Sequence, residues 1–351
     1  MANKYRLILL ALSTILIVSC KGQKQDEPIV NPTPTLKITL PQYGFNSGLL
    51  DREGNLWWSS FGNGIFRFDG QTVRHITEED GLCNNDVNTI YEDKKGQLWL
   101  GTADGLCLYQ GESFRHIPIP FTDTTSVWLD QVYPVINPNA VHAIIEDQKG
   151  DYWIGTGGGG AYHYDGEAFT SVLANEGAKY EDSLYHNWIP CIAEDQAGNI
   201  WFGSMSYGGL QRFDGQTYTR FAPEDGLSDV MIREIFVAKN GKIWLGFNGN
   251  RASALTVYDG TTFDIFTEKR DACHRNIQDI YEDQAGRLWL AGEGGVCILS
   301  DDNFTELLDN DGHPFSGINF ILQDDDQNIW FGGRNGLWVY DGLEVTQIAS
   351  E

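Results

Sequence analysis

Positive charge is scarce in this chain. Lys and Arg number 24 against 49 Asp and Glu, a formal net charge of −25 over 351 residues. Such a surface repels nucleic acid and anionic lipid headgroups, so no nucleic-acid partner is expected, although a local basic pocket can still take an anion. Catalytic signatures are missing too. There is no Walker phosphate loop, His-Glu-x-x-His, zinc-type cysteine pair or Gly-x-Ser-x-Gly elbow, and the seven histidines (75, 116, 142, 163, 186, 274 and 313) are scattered. The sequence therefore points away from catalysis, with no catalytic residue, metal or cofactor expected. Long helical patterns are few, and no apolar run reaches the ~20 residues that a membrane-spanning helix needs.

Residues 7–18 form a shorter apolar run, preceded by Lys4 and Arg6 and followed by Ser19-Cys20. Basic, apolar and small-residue regions in that order read as a signal peptide. Ile17-Val18-Ser19-Cys20 resembles a bacterial lipobox, which implies cleavage and acylation of Cys20. An ordinary signal peptide with a chance cysteine is the alternative. Losing Lys4 and Arg6 takes the net charge from −25 to −27. The expected organisation is a signal peptide over 1–20, a polar proline-bearing tether over 21–34 and a folded domain over 35–351. The segment Lys21 to Glu27 resembles the charged export signals of Bacteroides surface lipoproteins. The expected location is the bacterial cell envelope, lipid-anchored in the outer membrane on its periplasmic or surface side.

What the chain does have is a repeat. The phrase Gly96-Gln97-Leu98-Trp99-Leu100-Gly101-Thr102 recurs around Trp153, Trp201, Trp244, Trp289 and Trp330, and less regularly around Trp57. Successive tryptophans are 42, 54, 48, 43, 45 and 41 residues apart. One strand-borne Trp per 40-odd residues marks a propeller blade, so seven tryptophans predict an all-β, seven-bladed β-propeller with four-stranded blades. Forty glycines and an aromatic content of 13% suit turns and a core shared between blades.

Each unit divides into four strands. The first is apolar at offsets zero and three and ends in acids, as in Val87…Ile90-Tyr91-Glu92-Asp93. The second carries the Trp, and the third ends in an aromatic (Phe68, Tyr109, Tyr164, Phe213, Tyr258, Tyr340). Asp-Gly pairs then predict type I′ hairpins with positive φ at both residues. Blade 6 departs, with Leu299-Ser300-Asp301 in that place. The recurrent Asp93, Asp147, Asp195, Asp283 and Asp324 open short Asp-x-x-Gly-like turns, where carboxylates accept local N–H bonds. Recurrence makes them turn residues rather than catalytic or calcium-binding ones, and makes the tryptophans blade packing rather than a stacking platform.

The consensus Ile-x-x-Ile-x-Glu-Asp-x-x-Gly-x-Leu/Ile-Trp-Leu/Ile/Phe-Gly-Thr resembles the two-component regulator propeller repeat. So do the linking phrases Glu79-Asp80-Gly81-Leu82 and Glu224-Asp225-Gly226-Leu227-Ser228. The resemblance runs from residue 44 to 349 and implies kinship with the extracytoplasmic sensor halves of Bacteroides hybrid two-component systems, which detect glycan fragments. The sequence has one propeller where those sensors typically have two, without their sandwich domain, transmembrane helix and kinase. The family offers no catalytic motif to carry over.

Interruptions of the repeat suggest a site. In propellers the links between blades share a face with the second-to-third-strand turns, and that face is where ligands are expected. Residues 118–140 and 173–188 are long insertions, and the turns at 205–209 and 248–251 are elaborated. The candidate ligand-binding residues are Trp128, Tyr133, Tyr185, His186, Trp188, Tyr207, Arg251, Arg275 and Arg334. Sugar rings stack on Trp and Tyr and bond to planar polar groups, and three arginines favour an acidic ligand. The alternative is that the loop aromatics form a satellite core.

Three functions follow. The first is a non-catalytic sensor-like lipoprotein that binds a glycan or other small extracellular ligand. The second is a scaffold for an envelope protein. The third is a metal-dependent propeller lyase, which requires converging His or Glu side chains. The ring is expected to close through Thr35–Leu40, at the outer edge of the last blade. Cys83 and Cys107 are 24 residues apart, as are Cys273 and Cys297, in matching places of blades 2 and 6. That recurrence suggests two disulfides in an oxidising compartment, with buried free thiols the alternative.

Overall fold

The computed structural model describes residues 38–39, 41–121, 137–173, 188–205, 208–248, 255–266, 276–300 and 303–350. All lie in the compact unit Thr33–Glu351. They form seven antiparallel sheets whose strands run in sequence order from the inside out. The innermost strands are Ser47–Leu50, Val87–Glu92, Asn137–Glu146, Cys191–Glu194, Ile232–Val237, Ile277–Glu282 and Ile318–Gln323. Each touches the next around a ring that closes from the seventh blade to the first. Two short 3₁₀ turns, Glu78–Asp80 and Pro223–Asp225, are formed by the two linking phrases.

No blade has a core of its own. Apolar burial falls into seven clusters, each shared by two adjacent blades. This follows from the strands: Leu98–Thr102 and its counterparts are buried along their whole length, because both faces of each sheet meet a neighbour. The repeat Trp of one blade packs on the terminal third-strand aromatic of the next. The pairs are Trp57–Tyr109, Trp99–Tyr164, Trp153–Phe213, Trp201–Tyr258, Trp289–Tyr340 and Trp330–Phe68, with centroids 5.6, 6.3, 5.8, 5.5, 6.0 and 6.3 Å apart. Only the joint between blades 5 and 6 lacks an aromatic pair of this kind, because Leu299 shares the cluster with Trp244 there.

Ring closure follows the sequence expectation. Ile38–Thr39 pairs in parallel with the outer strand of blade 7, Ile38 opposite Ala349 and Thr39 opposite Ser350. The chain then crosses to blade 1, where the Phe45 N–H donates to Gly333 O at 3.0 Å. Gly44 makes this approach possible: its φ is +69°, and a Cβ there would sit 2.4 Å from Gly333 O.

The Asp-Gly hairpins need a correction. Gly70, Gly166, Gly215, Gly260 and Gly342 have positive φ, but the preceding aspartates do not, so the type I′ pattern is not formed. Asp69 instead accepts the N–H groups of Gln71 and Thr72, which it can do at negative φ. The other four aspartates bond in the same way.

Turn aspartates at the ends of the inner strands do more than cap. Asp51, Asp93, Asp147, Asp195, Asp283 and Asp324 each accept the indole N–H of the Trp six residues on, at 2.7–3.0 Å. Blade 5 breaks the rule. Ala238 occupies the aspartate position, its turn is otherwise the same, and the buried Trp244 Nε1 has no partner among the described residues. An orphaned buried donor costs about 1–3 kcal/mol. Ala238→Asp is therefore expected to stabilise the protein by about 1 kcal/mol, seen as a higher urea midpoint at unchanged slope. A lower midpoint would show that blade 5 cannot accommodate the carboxylate.

The Cys83 and Cys107 sulfurs are bonded, with Cα atoms 5.8 Å apart, pinning the link before blade 2 to its third strand. Cys297 is also disulfide-bonded, whereas Cys273 lies outside the described residues. Cys191 is a buried free thiol.

Candidate functional site

The inner strands carry a second regularity. After the apolar anchor of each comes Asn46, Asn88, His142, Pro190, Arg233, Gln278 and Asn319, at one frame position in all seven blades. In blades 2, 3, 5, 6 and 7 the pairing skips this residue: Val87 pairs with Thr102 and Thr89 with Gly101, leaving Asn88 as a bulge. His142, Arg233, Gln278 and Asn319 are skipped in the same way. A bulge interrupts strict alternation and re-aims a side chain. Arg233 and Glu234, and likewise Gln278 and Asp279, consequently line the same cavity although adjacent in sequence.

That cavity is a central funnel of about 930 Å³. One residue of the frame position from every blade lines it, with Phe61, Asn248 and Arg334 from second-to-third-strand turns and Gln42, Tyr43 and Trp188 from links between blades. It therefore opens on the face that carries both sets of loops. Tyr43 and Phe61 are exposed aromatics, 60% and 42% accessible. Both suit stacking on an apolar ligand face.

The wall is braced by side chains that cross from blade to blade. Asn319 Nδ2 donates to Phe45 O at 2.8 Å, Asn46 Nδ2 to Asn88 O at 2.9 Å and Asn88 Nδ2 to Val141 O at 3.1 Å. Arg233 Nε donates to Gln278 Oε1 at 2.8 Å, and the Ile321 N–H donates to Asp279 Oδ2 at 2.7 Å. His142 lies against Trp188, ring centroids 5.8 Å apart.

Ionisation is shifted on one side of the funnel. Burial pushes Asp279 up to about 7, against bonds from the Ile321 and Ile280 N–H groups. Glu234 is raised well above the carboxylate range by burial and then by the negative charge of Asp279, with Arg233 opposing. Burial, followed by the Arg233 charge, lowers His142 to about 3, so this imidazole is neutral at working pH. Among the described residues no group of three or more His, Cys, Asp and Glu is placed to hold a metal ion.

Of the residues singled out from sequence, Trp188 and Arg334 line the funnel. Arg334 is paired with Glu293 at 3.0 Å. Cys20, Trp128, Tyr133, Tyr185, His186, Tyr207, Arg251 and Arg275 lie outside the described residues. Sequence reasoning missed Asn46, Asn88, His142, Arg233, Glu234, Gln278, Asp279 and Asn319. Their signal was present in the two variable positions of Ile-x-x-Ile, which hold a polar residue at the first x in six of seven blades.

The fold is a seven-bladed propeller with a funnel at its centre. The two-component regulator propeller family model matches residues 81–104, 136–158, 186–206 and 273–294. A histidine kinase of Formosa agariphila is 27% identical over 186 residues, covering 50% of this chain and 13% of the kinase, so this chain corresponds to only a small part of that relative. The extracellular domain of a hybrid two-component system from B. thetaiotaomicron has the same fold. Its TM-score is 0.69 at 23% identity, over 87% of this chain and 40% of that one. Virginiamycin B lyase from Staphylococcus aureus shares the fold at TM-score 0.61 and 15% identity, over 85% and 97% of the two chains. No helix of the described residues is long and apolar enough to cross a membrane.

Proposed function

We propose that this protein is a non-catalytic, extracytoplasmic sensor-like binding protein, lipid-anchored through Cys20 in the outer membrane, whose funnel takes a glycan or another small extracellular ligand. The observation that carries this reading is the funnel itself. A cavity of about 930 Å³, lined from all seven blades by mainly polar side chains with aromatics at its mouth, has the size of a small-molecule site and polar groups that a hydroxyl-rich ligand can meet. The kinship of its repeats with sensor propellers supports the reading. A concave polar funnel also suits a small ligand better than a partner protein, which would call for a broad apolar patch.

The test is glycan-array binding by purified residues 21–351, alongside a Ser47→Trp variant that fills the lumen, with unchanged Tm as the control for folding. Array binding that disappears in the variant supports the proposal. Array binding that survives the plug places the site elsewhere. If no glycan binds and Trp188→Ala abolishes co-purification of another protein, the chain is an envelope scaffold. Release of a cleaved product from bound ligand would make it a lyase.

A further inference from the structure

The hydrogen-bond inventory of the wall, taken with the funnel as the ligand site, restricts which ligands can enter. Asn319, Asn46 and Asn88 each have their amide nitrogen bonded to a backbone carbonyl of the next blade. A carbonyl can be met only by the NH₂ end of an amide, so these bonds fix the orientation of all three side chains. Each amide keeps its Oδ1, an acceptor that no protein donor meets among the described residues, and Asn319 and Asn88 each keep one N–H as well. Blades 7, 1 and 2 thus present three consecutive acceptors to the lumen.

Blades 5 and 6 add two carboxylates, Glu234 and Asp279. Donors line the lumen as well: the remaining N–H groups of Arg233, whose Nε is spent on Gln278, the Gln278 amide, neutral His142, and the side chains of Gln42, Ser47, Thr89 and Asn248, of which Arg233 alone carries a positive charge. Arg334 at the mouth is already paired with Glu293. An acidic ligand would meet two carboxylates and a row of carbonyl oxygens with a single lumen guanidinium to offset them. A hydroxyl-rich ligand would satisfy the same atoms by donating to them.

We infer that the funnel selects a donor-rich, non-acidic ligand, a neutral or amine-bearing oligosaccharide, and excludes uronic-acid and sulfated ones. This reverses the expectation of an acidic ligand that the loop arginines suggest. It also sets the sign of a pH dependence. Burial brings Asp279 up to about 7 and, with the Asp279 charge, raises Glu234 well above the carboxylate range. Of the groups packed around them, burial lowers Arg233 from its ordinary value but a guanidinium keeps its charge, His142 stays neutral, and the Cys191 thiol behind them is pushed well above its ordinary value by burial. Titration between pH 6 and 8 therefore belongs to the carboxyl pair. Ionised carboxylates are the better acceptors, so a donor ligand gains affinity as pH rises, whereas an acidic ligand would lose it.

The experiment is calorimetry on purified residues 21–351 with matched galactose, galactosamine and galacturonic acid oligomers, and the glucose series, at pH 6, 7 and 8. Neutral or amine-bearing members are expected to bind at least tenfold more tightly than uronates and several-fold more tightly at pH 8 than at pH 6. Glu234→Gln should weaken that binding several-fold and flatten its pH dependence. Tighter uronate binding that Ser47→Trp abolishes, or affinity that falls as pH rises, would overturn the inference while leaving the funnel as the site. If none of these oligomers binds at any pH, the saccharide reading of the funnel falls, and the inference with it.

Discussion

Asp93→Ala is expected to destabilise the propeller by about 4 kcal/mol, measured by urea denaturation at pH 7. The side chain is fully buried. Its Oδ1 accepts the N–H groups of Lys95 and Gln97 at 2.9 and 2.8 Å, and its Oδ2 accepts Trp99 Nε1 at 2.9 Å and the Tyr152 hydroxyl at 2.8 Å. Tyr152 belongs to the next blade, so one carboxylate ties a turn, its own Trp and an inter-blade joint. Alanine strands four donors, each worth about 1–3 kcal/mol when buried without a partner, and incoming water recovers part of the loss. Asp93→Asn, which keeps an acceptor but turns an NH₂ toward the donors, should fall between the two. A loss under 1 kcal/mol for the alanine variant would mean that the indole and phenol find other partners.

The same residues set a pH dependence. Burial alone would raise the carboxyl of Asp93, but bonds from Trp99, Gln97, Tyr152 and Lys95 outweigh it and hold the group below its ordinary value. Asp147, Asp195 and Asp283 are held down in the same way. A carboxyl depressed in the folded state contributes stability that is present above its unfolded value of about 3.9 and lost as pH falls through the lower folded value. The wild-type Tm should therefore fall steeply below about pH 4, and Asp93→Ala should show a shallower fall.

Gly155→Ala is expected to cost about 3 kcal/mol although it adds a single methyl group. The glycine after the repeat Trp faces the neighbouring blade at very short range. A Cβ at residue 155 would lie 2.3 Å from Ile189 O and 3.2 Å from the Ala143 Cβ. The first contact is with backbone, so relief requires moving the inner strand of blade 4, and the ring leaves it little room to move. Overpacking of this kind costs about 1–3 kcal/mol, and more when backbone must shift. Gly101 and Gly246 are similarly placed, 2.8 Å from Val141 and Ile277 atoms. Blade 6 has Ala291 at this position, so Ala291→Gly provides the control, with a loss of at most about 1 kcal/mol. If Gly155→Ala proves as mild as the control, the spacing between blades is adaptable rather than set by this glycine.

The fold was largely legible because the features that specify it are local and repeated. Trp spacing, Asp-x-x-Gly turns and third-strand aromatics each recur with the period of one blade, and a closed ring gives every copy the same neighbours. The hairpin type was misread because Asp-Gly was matched to a two-residue turn, whereas the aspartate spends its carboxylate on the next two N–H groups and keeps negative φ. The site was less legible. Trp188 and Arg334 stood out as chemistry-bearing residues in loops, whereas the funnel wall lay inside the repeat, at positions that vary in residue type and so resembled noise.

By itself the sequence determined the all-β class, the count of seven units, the position of each turn and the closure through the Thr35–Leu40 segment, because each follows from the frame of a repeat about 45 residues long. The tertiary structure alone decided what faces the axis. Asn46, Asn88, His142, Pro190, Arg233, Gln278 and Asn319 are each about one blade away from the next in sequence, and only closure brings them around one cavity. Bulges aim Asn88, His142, Arg233, Gln278 and Asn319 inward, and bonds to neighbouring blades orient the Asn46, Asn88 and Asn319 amides. Burial beside one another gives Glu234 and Asp279 their shifted ionisation. None of these is a property of a strand or a blade; each comes from the seven inner strands converging on one axis.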